Sequence, residues 1–371
     1  HYDAMGITLP FTKQAADSIR SKASRSTLTA LRAAHAHPQK EKPIPAPSST
    51  GYIAGAGTTT GMSMKPPQDA IMLSPGQPLQ QALDQAAAGS KWVVLAAGVY
   101  TLPHTLRLPS GITVMGSGIS TVLFLDPVSG EREAIINAAD DMHDITLANF
   151  VIEASPRTDP GTDPNGSRSY RGGYNRAGIL FRCAEGNSMK RIQLTHLTIR
   201  NATYSGVSIS GANDIVIERC DFSENGANVP PGPGLLHNLL LSHCNAVKVN
   251  GSRLVTSPTG GGIAADYCSK LSINDCEIAR NGGNGILLAE SNDITISNNL
   301  LEANDNSAIL AEFLFNGNSN ITVTNNRIQY NNGIGLESYG TRQVMSSNNR
   351  YEGNRLVQEK ILATKQVLMK P

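Results

Sequence analysis

Apolar residues in the second half of the chain recur in short alternating runs separated by Asn-rich bends. The stretch NDITISNNLLEANDNSAIL, residues 292–310, has a near copy in SNITVTNNRIQYNNGIGL, residues 319–336. Alternation of apolar and polar residues predicts half-buried strands, and clustered Asn, Asp and Gly predict turns. Each unit therefore predicts a strand, a bend, a second strand and a polar loop that leads into a third strand.

This unit repeats along much of the chain. When the units are aligned on the residue after the apolar triplet, one position recurs at intervals of roughly 23 to 32 residues from Cys220 onward. Strands this short do not form a stable sheet alone, so neighbouring coils are expected to stack as a solenoid. We predict that the aligned residues point inward and hydrogen-bond the next coil as a ladder. They are Asn149, His196, Cys220, Ser252, Cys276, Asn299, Asn326 and Asn349.

The pattern before the repeats divides the chain into two parts. Residues 1–70 combine a helix-forming stretch at 11–35 with a segment rich in Pro, Gly, Ser and Thr, which predicts an N-terminal helix and an extended strap. Residues 71–371 are predicted to form one domain. It opens with the segment PLQQALDQAAAGSKWVVLAAGVYTLPHTLRLPSGITVMGSG, residues 78–118, in which a short amphipathic helix precedes the first strands.

Two insertions interrupt the repeat, at residues 155–176 and 225–238. Long loops on one edge of a solenoid commonly carry the binding site. The first insertion contains Arg171 and Tyr174, and an Arg fork suits carboxylates or sulfates while Tyr stacks on sugar rings. His237 ends the second insertion, where it either reaches the binding groove or caps the turn.

Residues 78–355, with their capping helix and about seven coils, resemble the single-stranded right-handed parallel β-helix superfamily. That superfamily includes pectate and alginate lyases, polygalacturonases and C5-epimerases. The resemblance implies an all-β, right-handed parallel β-helix solenoid with an N-terminal capping helix and an extended N-terminal segment. It also implies a polysaccharide partner and an active site along one parallel sheet. The NTD, GHG and RIK motifs of polygalacturonases and the DPHD motif of mannuronan epimerases do not occur in the chain.

Composition and charge narrow the class of protein. Aromatic residues make up only 5% of the chain, and the formal net charge is +1, so nothing indicates a nucleic-acid partner. No run of 18 apolar residues predicts a membrane span. The five cysteines do not form metal-binding pairs, so we predict no metal site; Cys244 and Cys268 fall at equivalent positions of adjacent coils, as stacked thiols or as a disulfide. The chain begins at His1 without Met, which indicates either a processed precursor or an N-terminus left by cloning. A polysaccharide-active protein of this kind is expected to be secreted or periplasmic.

Alternation assigns faces to one predicted sheet, built from GILFRC, GVSISG, NLLLSHC, GIAADYC, GILLAES, AILAEFL and IGLESYG. Ile334 and Leu336 are predicted to point inward in the last of these strands, as their equivalents do in the others. The predicted outward column is Arg182, Ser210, Ser242, Asp266, Ala289, Glu312 and Glu337. The turn column beside it is Cys183, Gly211, His243, Tyr267, Glu290, Phe313 and Ser338.

These columns gather acids, a His and a Tyr on one surface strip, and we predict a glycoside hydrolase of an anionic polysaccharide. Asp266 and Glu312 lie two coils apart, or about 9.6 Å at the usual strand spacing. Inverting glycosidases hold two carboxyl groups about 6.5–9.5 Å apart, which leaves space for a water molecule. Glu290 between them is expected to raise a neighbour's pKa by repulsion, and His243 and Tyr267 to orient substrate or tune a proton.

Two alternatives use the same strip. In a lyase or C5-epimerase, Ca²⁺ held by the three acids would neutralise a uronate, and Tyr267 or His243 would abstract the C5 proton. In a third class, the β-helix binds glycan or serves as a structural spike without catalysis. No cofactor is expected unless the protein is a lyase. In each case the predicted substrate contacts are Arg182, Arg171, Tyr174, Glu337 and His237.

Overall fold

The computed structural model describes residues 64–363, apart from 127–128, 155–159, 163–167, 171–176 and 227–235. All described residues belong to the second of the chain's two units, Ile53–Pro371. The helix predicted for residues 11–35 and most of the predicted strap lie outside the described residues.

The described part contains one α-helix, α1 (Leu79–Ala88), one 3₁₀ turn, η1 (Gly118–Ser120), and 32 strands. The strands are β1 (Ile71–Leu73), β2 (Trp92–Leu95), β3 (Gly98–Leu102), β4 (Leu106–Leu108), β5 (Thr113–Met115), β6 (Thr121–Leu125), β7 (Glu133–Asn137), β8 (His143–Ala148), β9 (Val151–Glu153), β10 (Pro160–Thr162), β11 (Arg168–Tyr170), β12 (Ala177–Arg182), β13 (Met189–Thr195), β14 (Thr198–Arg200), β15 (Val207–Ser210), β16 (Ala212–Glu218), β17 (Asp221–Phe222), β18 (Leu239–Ser242), β19 (Asn245–Asn250), β20 (Arg253–Val255), β21 (Ile263–Asp266), β22 (Ser269–Asn274), β23 (Glu277–Ala279), β24 (Ile286–Ala289), β25 (Asn292–Ser297), β26 (Leu300–Glu302), β27 (Ile309–Glu312), β28 (Ser319–Thr324), β29 (Arg327–Gln329), β30 (Leu336–Ser347), β31 (Arg350–Glu352) and β32 (Glu359–Ala363).

Thirty of the described strands stack into about eleven coils that build three parallel sheets, and β10 and β11 form a separate antiparallel pair. Sheet A runs through β1, β2, β5, β8, β13, β16, β19, β22, β25, β28 and β30. Sheet B runs through β3, β6, β9, β14, β17, β20, β23, β26, β29 and β31. Sheet C runs through β4, β7, β12, β15, β18, β21, β24, β27, β30 and β32. The long strand β30 turns the corner and belongs to both sheet A and sheet C. The predicted all-β parallel solenoid is therefore confirmed.

Helix α1 lies at the N-terminal end of the coils and buries one face. Its buried residues, Leu79, Ala82, Leu83 and Ala86, recur at helical spacing. Leu79 and Leu83 meet the interior of the first coils beside Leu106 and Val114. The predicted capping helix is confirmed, and it covers apolar surface that the first coil would otherwise expose.

The core of the solenoid consists of columns of aliphatic side chains that stack in register. In sheet C the column is Ile179, Val207, Leu239, Ile263, Ile286 and Ile309, all fully buried. Leu336 stacks on Ile309, so the prediction that Ile334 occupies this column is wrong by two residues. The sequence of this coil contains two Gly-apolar pairs, Gly333-Ile334 and Gly335-Leu336, and the second pair occupies the stacked position.

The paired asparagines in each bend have two different roles. The first of each pair adopts the left-handed conformation that asparagine tolerates, with φ of 58°, 58° and 57° at Asn298, Asn325 and Asn348. The second points inward. Oδ1 of Asn326 accepts from the backbone N (2.9 Å) and Nδ2 (3.0 Å) of Asn299, and Oδ1 of Asn349 accepts in the same way from Asn326. The predicted ladder is confirmed here.

The ladder prediction is wrong for the two most N-terminal members. Asn149 and His196 have φ of 59° and 51°, which is the left-handed position before the ladder residue. Phe150 and Leu197 occupy the inward place and are buried in the core. The predicted alignment is therefore displaced by one residue in these two coils, because apolar side chains rather than amides fill their bends.

A second ladder, which sequence reasoning missed, lines the next bend of the C-terminal coils. Its members are Asn281, Asn304, Asn331 and Asn354, each hydrogen-bonded to the backbone and side chain of its neighbour. Two amide columns thus hold adjacent coils in register from inside.

Candidate functional site

The outward column of sheet C is stacked as predicted from its first coil to Glu312. Strand pairing places Arg182, Ser210, Ser242, Asp266, Ala289 and Glu312 opposite one another in successive coils. Asp266 and Glu312 therefore lie two coils apart, about 9.6 Å at the usual strand spacing. Ala289 lies between them, and its small side chain is buried.

Asp266 is half-buried at the end of β21. Its Oδ2 accepts a hydrogen bond from Oγ of Ser242 at 2.9 Å. Burial raises the pKa of this carboxyl, although the Ser242 hydroxyl and nearby His243 act in the opposite direction. The same Ser242 oxygen lies 2.9 Å from Nδ1 of His243, so one buried hydroxyl positions both side chains.

His243 and Tyr267 form a stacked pair on adjacent coils. Their ring centroids lie 4.7 Å apart with an angle of 15° between the planes. Both residues have a φ of 51°, a left-handed turn that directs each ring outward beside the acid column. Burial raises the pKa of Tyr267, and the charges of Glu290 and Asp266 raise it further.

Glu312 is half-buried at the end of β27, and burial alone raises the pKa of its carboxyl. Within the described ranges, no hydrogen bond or ion pair reaches its carboxylate oxygens. A carboxyl group that loses hydration without gaining a donor favours its neutral form. Glu312 is therefore set up to carry a proton.

Glu290 faces a different way from the two acids that flank it. Its carboxylate accepts hydrogen bonds of 2.8–3.1 Å from four successive backbone N–H groups, those of Leu314, Phe315, Asn316 and Gly317. Desolvation pushes the pKa of Glu290 up, but these donors outweigh it and leave the pKa below its ordinary value. Burial, rather than repulsion by Glu290, raises the pKa values of Asp266 and Glu312. Glu290 thus anchors the 314–317 loop.

Glu337 does not continue the acid column. It pairs with Leu310, two residues before Glu312 in β27, because the coil that contains β30 is shifted by two residues from the predicted register. Its carboxylate accepts from Oγ of Ser307 at 2.7 Å and from the Tyr339 hydroxyl. The prediction that Glu337 lies in line with Glu312 is wrong.

The remaining predicted substrate contacts are dispersed. Arg182 is exposed at the top of the column, three coils or about 14 Å from Asp266. His237 is buried, and its Nδ1 accepts from the backbone N of Gly261 at 2.9 Å, so it caps the turn of the next coil. Burial lowers the pKa of His237 to about 4. Arg171 and Tyr174 lie outside the described residues.

Sequence reasoning placed Phe313 in the turn column but gave no part to the apolar loop that it begins. Phe313, Leu314 and Phe315 are all exposed beside Glu312. Three consecutive large apolar residues in an otherwise polar bend were the available signal.

The cysteines carry no chemistry in this strip. Each of the five is a free thiol, and four are buried. Cys244 and Cys268 lie on adjacent coils as free thiols that donate to backbone carbonyl groups, which is the first of the two sequence-based alternatives.

A comparison with family models agrees with the fold. The family model described as a "right handed beta helix region" matches residues 175–350, and the described residues have the parallel β-helix topology. No curated protein sequence matches the chain.

Solved structures share the fold at low identity. PfbA, a surface adhesin of Streptococcus pneumoniae, is 10% identical, with 79% of this chain and 93% of that one aligned at a TM-score of 0.48. The Dettilon tailspike protein gp208 is 14% identical over 75% of this chain and 54% of that one, at 0.52. DFA-IIIase from Arthrobacter chlorophenolicus A6, in complex with DFA-III, is 13% identical over 76% and 72%, at 0.47. These likenesses concern the fold alone.

No described helix is both long and apolar enough to cross a membrane. No described group of three or more His, Cys, Asp or Glu side chains is arranged to hold a metal ion. The acids of the calcium alternative do not converge, since the oxygens of Glu290 already bind the 314–317 backbone.

Proposed function

We propose that this protein is a glycoside hydrolase that acts on a polysaccharide outside the cytoplasm. One observation carries the proposal: Asp266 and Glu312 project from the same column, two coils apart, over the small Ala289. Their separation of about 9.6 Å matches the upper end of the range for inverting glycosidases.

The environments of the two acids suggest different roles. No hydrogen-bond donor among the described residues stabilises the charge of Glu312, so we assign it as the general acid that protonates the leaving oxygen. Asp266 accepts from Ser242 and lies near His243, both of which favour its charged form, so it is the base that activates water. Activity then requires one protonated and one ionised carboxyl, and it falls on both sides of an acidic optimum.

The geometry supports lyase or epimerase chemistry less well. A C5 base must be deprotonated at the working pH, whereas burial and two nearby acids raise the pKa of Tyr267.

The test is an incubation with neutral and anionic polysaccharides that records both new reducing ends and ultraviolet absorbance from unsaturated uronates. Hydrolysis produces reducing ends without absorbance, and both Asp266→Asn and Glu312→Gln remove them. Asp293→Asn is the matched control, because Asp293 is an exposed acid on sheet A whose contact with Asn320 tolerates an amide. Absorbance together with reducing ends identifies a lyase and contradicts the proposal.

A further inference from the structure

Two exposed aromatic rings lie beside the outward column of sheet C, next to the acids Asp266 and Glu312. Each acid is followed in the chain by an aromatic residue: Tyr267 follows Asp266, and Phe313 follows Glu312. The two rings therefore lie two coils apart along the same turn column, as the acids do. Tyr267 is 39% exposed and Phe313 is 46% exposed, although aromatics make up only 5% of the chain.

The exposed rings are held in place. Tyr267 stacks on His243, as described above. Phe313 lies against two glycines: a Cβ atom at Gly340 would be 2.5 Å from its ring, and one at Gly317 would be 2.8 Å away. Glu290 holds the backbone after Phe313 through four hydrogen bonds. Fixed apolar surface in water carries a solvation cost that a ligand with apolar faces removes.

Among the described residues, the charged groups next to the two rings in the outward and turn columns are the acids Asp266, Glu290 and Glu312. None of the ion pairs among the described residues includes Asp266, Glu290 or Glu312. Arg182 lies three coils from Asp266, and Lys360 donates to the Tyr339 hydroxyl at 3.1 Å. An anionic sugar placed here would face like charge, whereas a neutral sugar presents apolar C–H faces to the rings and hydroxyl donors to the carboxylates.

We propose that the strip binds a neutral glycan whose sugar rings stack on Tyr267 and Phe313. This inference replaces the anionic substrate expected from the sequence. It rests on the proposed hydrolase for the position of the scissile bond, between Asp266 and Glu312. Binding on the rings is measurable without cleavage.

The experiment measures binding to neutral and anionic polysaccharides by affinity electrophoresis, at low and high salt. The Glu312→Gln protein serves as the parent, so that no ligand is consumed. Tyr267→Ala and Phe313→Leu should each weaken binding to a neutral glycan about tenfold, the effect of losing one stacked ring. Tyr267→Phe keeps the ring and should bind within about twofold of the parent. Tyr330→Ala, which removes a 47% exposed ring after sheet B strand β29, is the matched control. Thermal melts identify any variant that fails to fold.

The outcomes separate the two proposals. Salt-insensitive binding to neutral glycans that depends on the two rings supports the inference, even when the wild-type protein releases no reducing ends. Binding only to anionic polymers, with affinity that falls in salt, overturns it even when the protein cleaves them. Failure to bind any neutral glycan, or equal affinity in the ring variants, also overturns it.

Discussion

The internal asparagine ladders and the external acid strip are built by the same repeating coil, and they treat polar groups in opposite ways. Asn304 and Asn331 are fully enclosed, and their amides are shared between neighbouring coils. Asp266 and Glu312 are half-buried, and both have raised pKa values because burial has removed water without supplying enough donors. The ladder amides repeat from coil to coil and have their hydrogen bonds satisfied, so they stabilise the fold. The two carboxyl groups have few hydrogen-bond partners and therefore can take part in a reaction.

Glu290 marks the boundary between these two cases. It lies in the strip by position, but its carboxylate is satisfied as completely as a ladder amide. Position on the sheet therefore does not identify a catalytic acid by itself, and the hydrogen-bond partners of each carboxylate must be counted.

The largest expected effect is on turnover. Glu312→Gln should lower kcat about 10³-fold, since general acid catalysis contributes 10²–10⁴-fold. Stability should be unchanged or slightly higher, because the amide avoids the cost of burying a charge. Kinetics and urea unfolding of the same preparation test both parts, with Asp293→Asn as control. Full activity in Glu312→Gln would remove Glu312 from the mechanism.

The next effect is the response of stability to acid, which His237 should dominate. Its pKa is about 4 in the folded protein against 6.5 for the free side chain. Stability from the neutral ring is complete above pH 6.5 and is lost as pH falls towards 4, by about 3 kcal/mol at 1.36 kcal/mol per unit. His237→Asn keeps an acceptor for the Gly261 N–H and should flatten this slope. Equal slopes in urea unfolding at pH 7 and pH 4.5 would show that His237 does not titrate as proposed.

A paired substitution sharpens the ladder side of the comparison. Asn331→Ala should lower the free energy of unfolding by about 2 kcal/mol, because it removes the acceptor of the backbone N–H and side-chain amide of buried Asn304 and a donor to the Leu301 carbonyl. Asn332 is adjacent in sequence but exposed, so Asn332→Ala should change stability by less than about 0.5 kcal/mol. Equal effects would contradict the structural role of the ladder. Activity at a permissive temperature should survive in both variants.

The smallest effect is expected at Glu290. Glu290→Gln keeps one acceptor oxygen but loses the charge that four N–H groups share, so the 314–317 loop should loosen. We expect KM to rise about fivefold with kcat nearly unchanged, a loss of about 1 kcal/mol in binding. A large fall in kcat instead would return Glu290 to the catalytic group predicted from the sequence.

The local pattern of apolar and polar residues was sufficient to predict much of the fold. Alternating apolar residues, a recurring length and Asn-rich bends predicted the parallel solenoid, its capping helix and the column from Arg182 to Glu312, because each coil repeats the same local rule. The inward role of Asn299, Asn326 and Asn349 followed from the same reasoning.

The remaining features of the candidate site depend on how neighbouring coils stack. The two-residue shift at Gly335-Leu336 placed Glu337 outside the column that contains Glu312. The register between coils depends on which glycine fits against the backbone of the next coil. A Cβ atom at Gly335 would lie 2.5 Å from the carbonyl oxygen of Gln358. The hydrogen bonds of Glu290 to a loop 24 to 27 residues further along the chain are also formed between coils. The stacking of the coils also decides that Phe313 is exposed beside Glu312. The sequence determined which residues each coil presents, and the tertiary structure decided which of them have their hydrogen bonds satisfied, because those partners come from neighbouring turns.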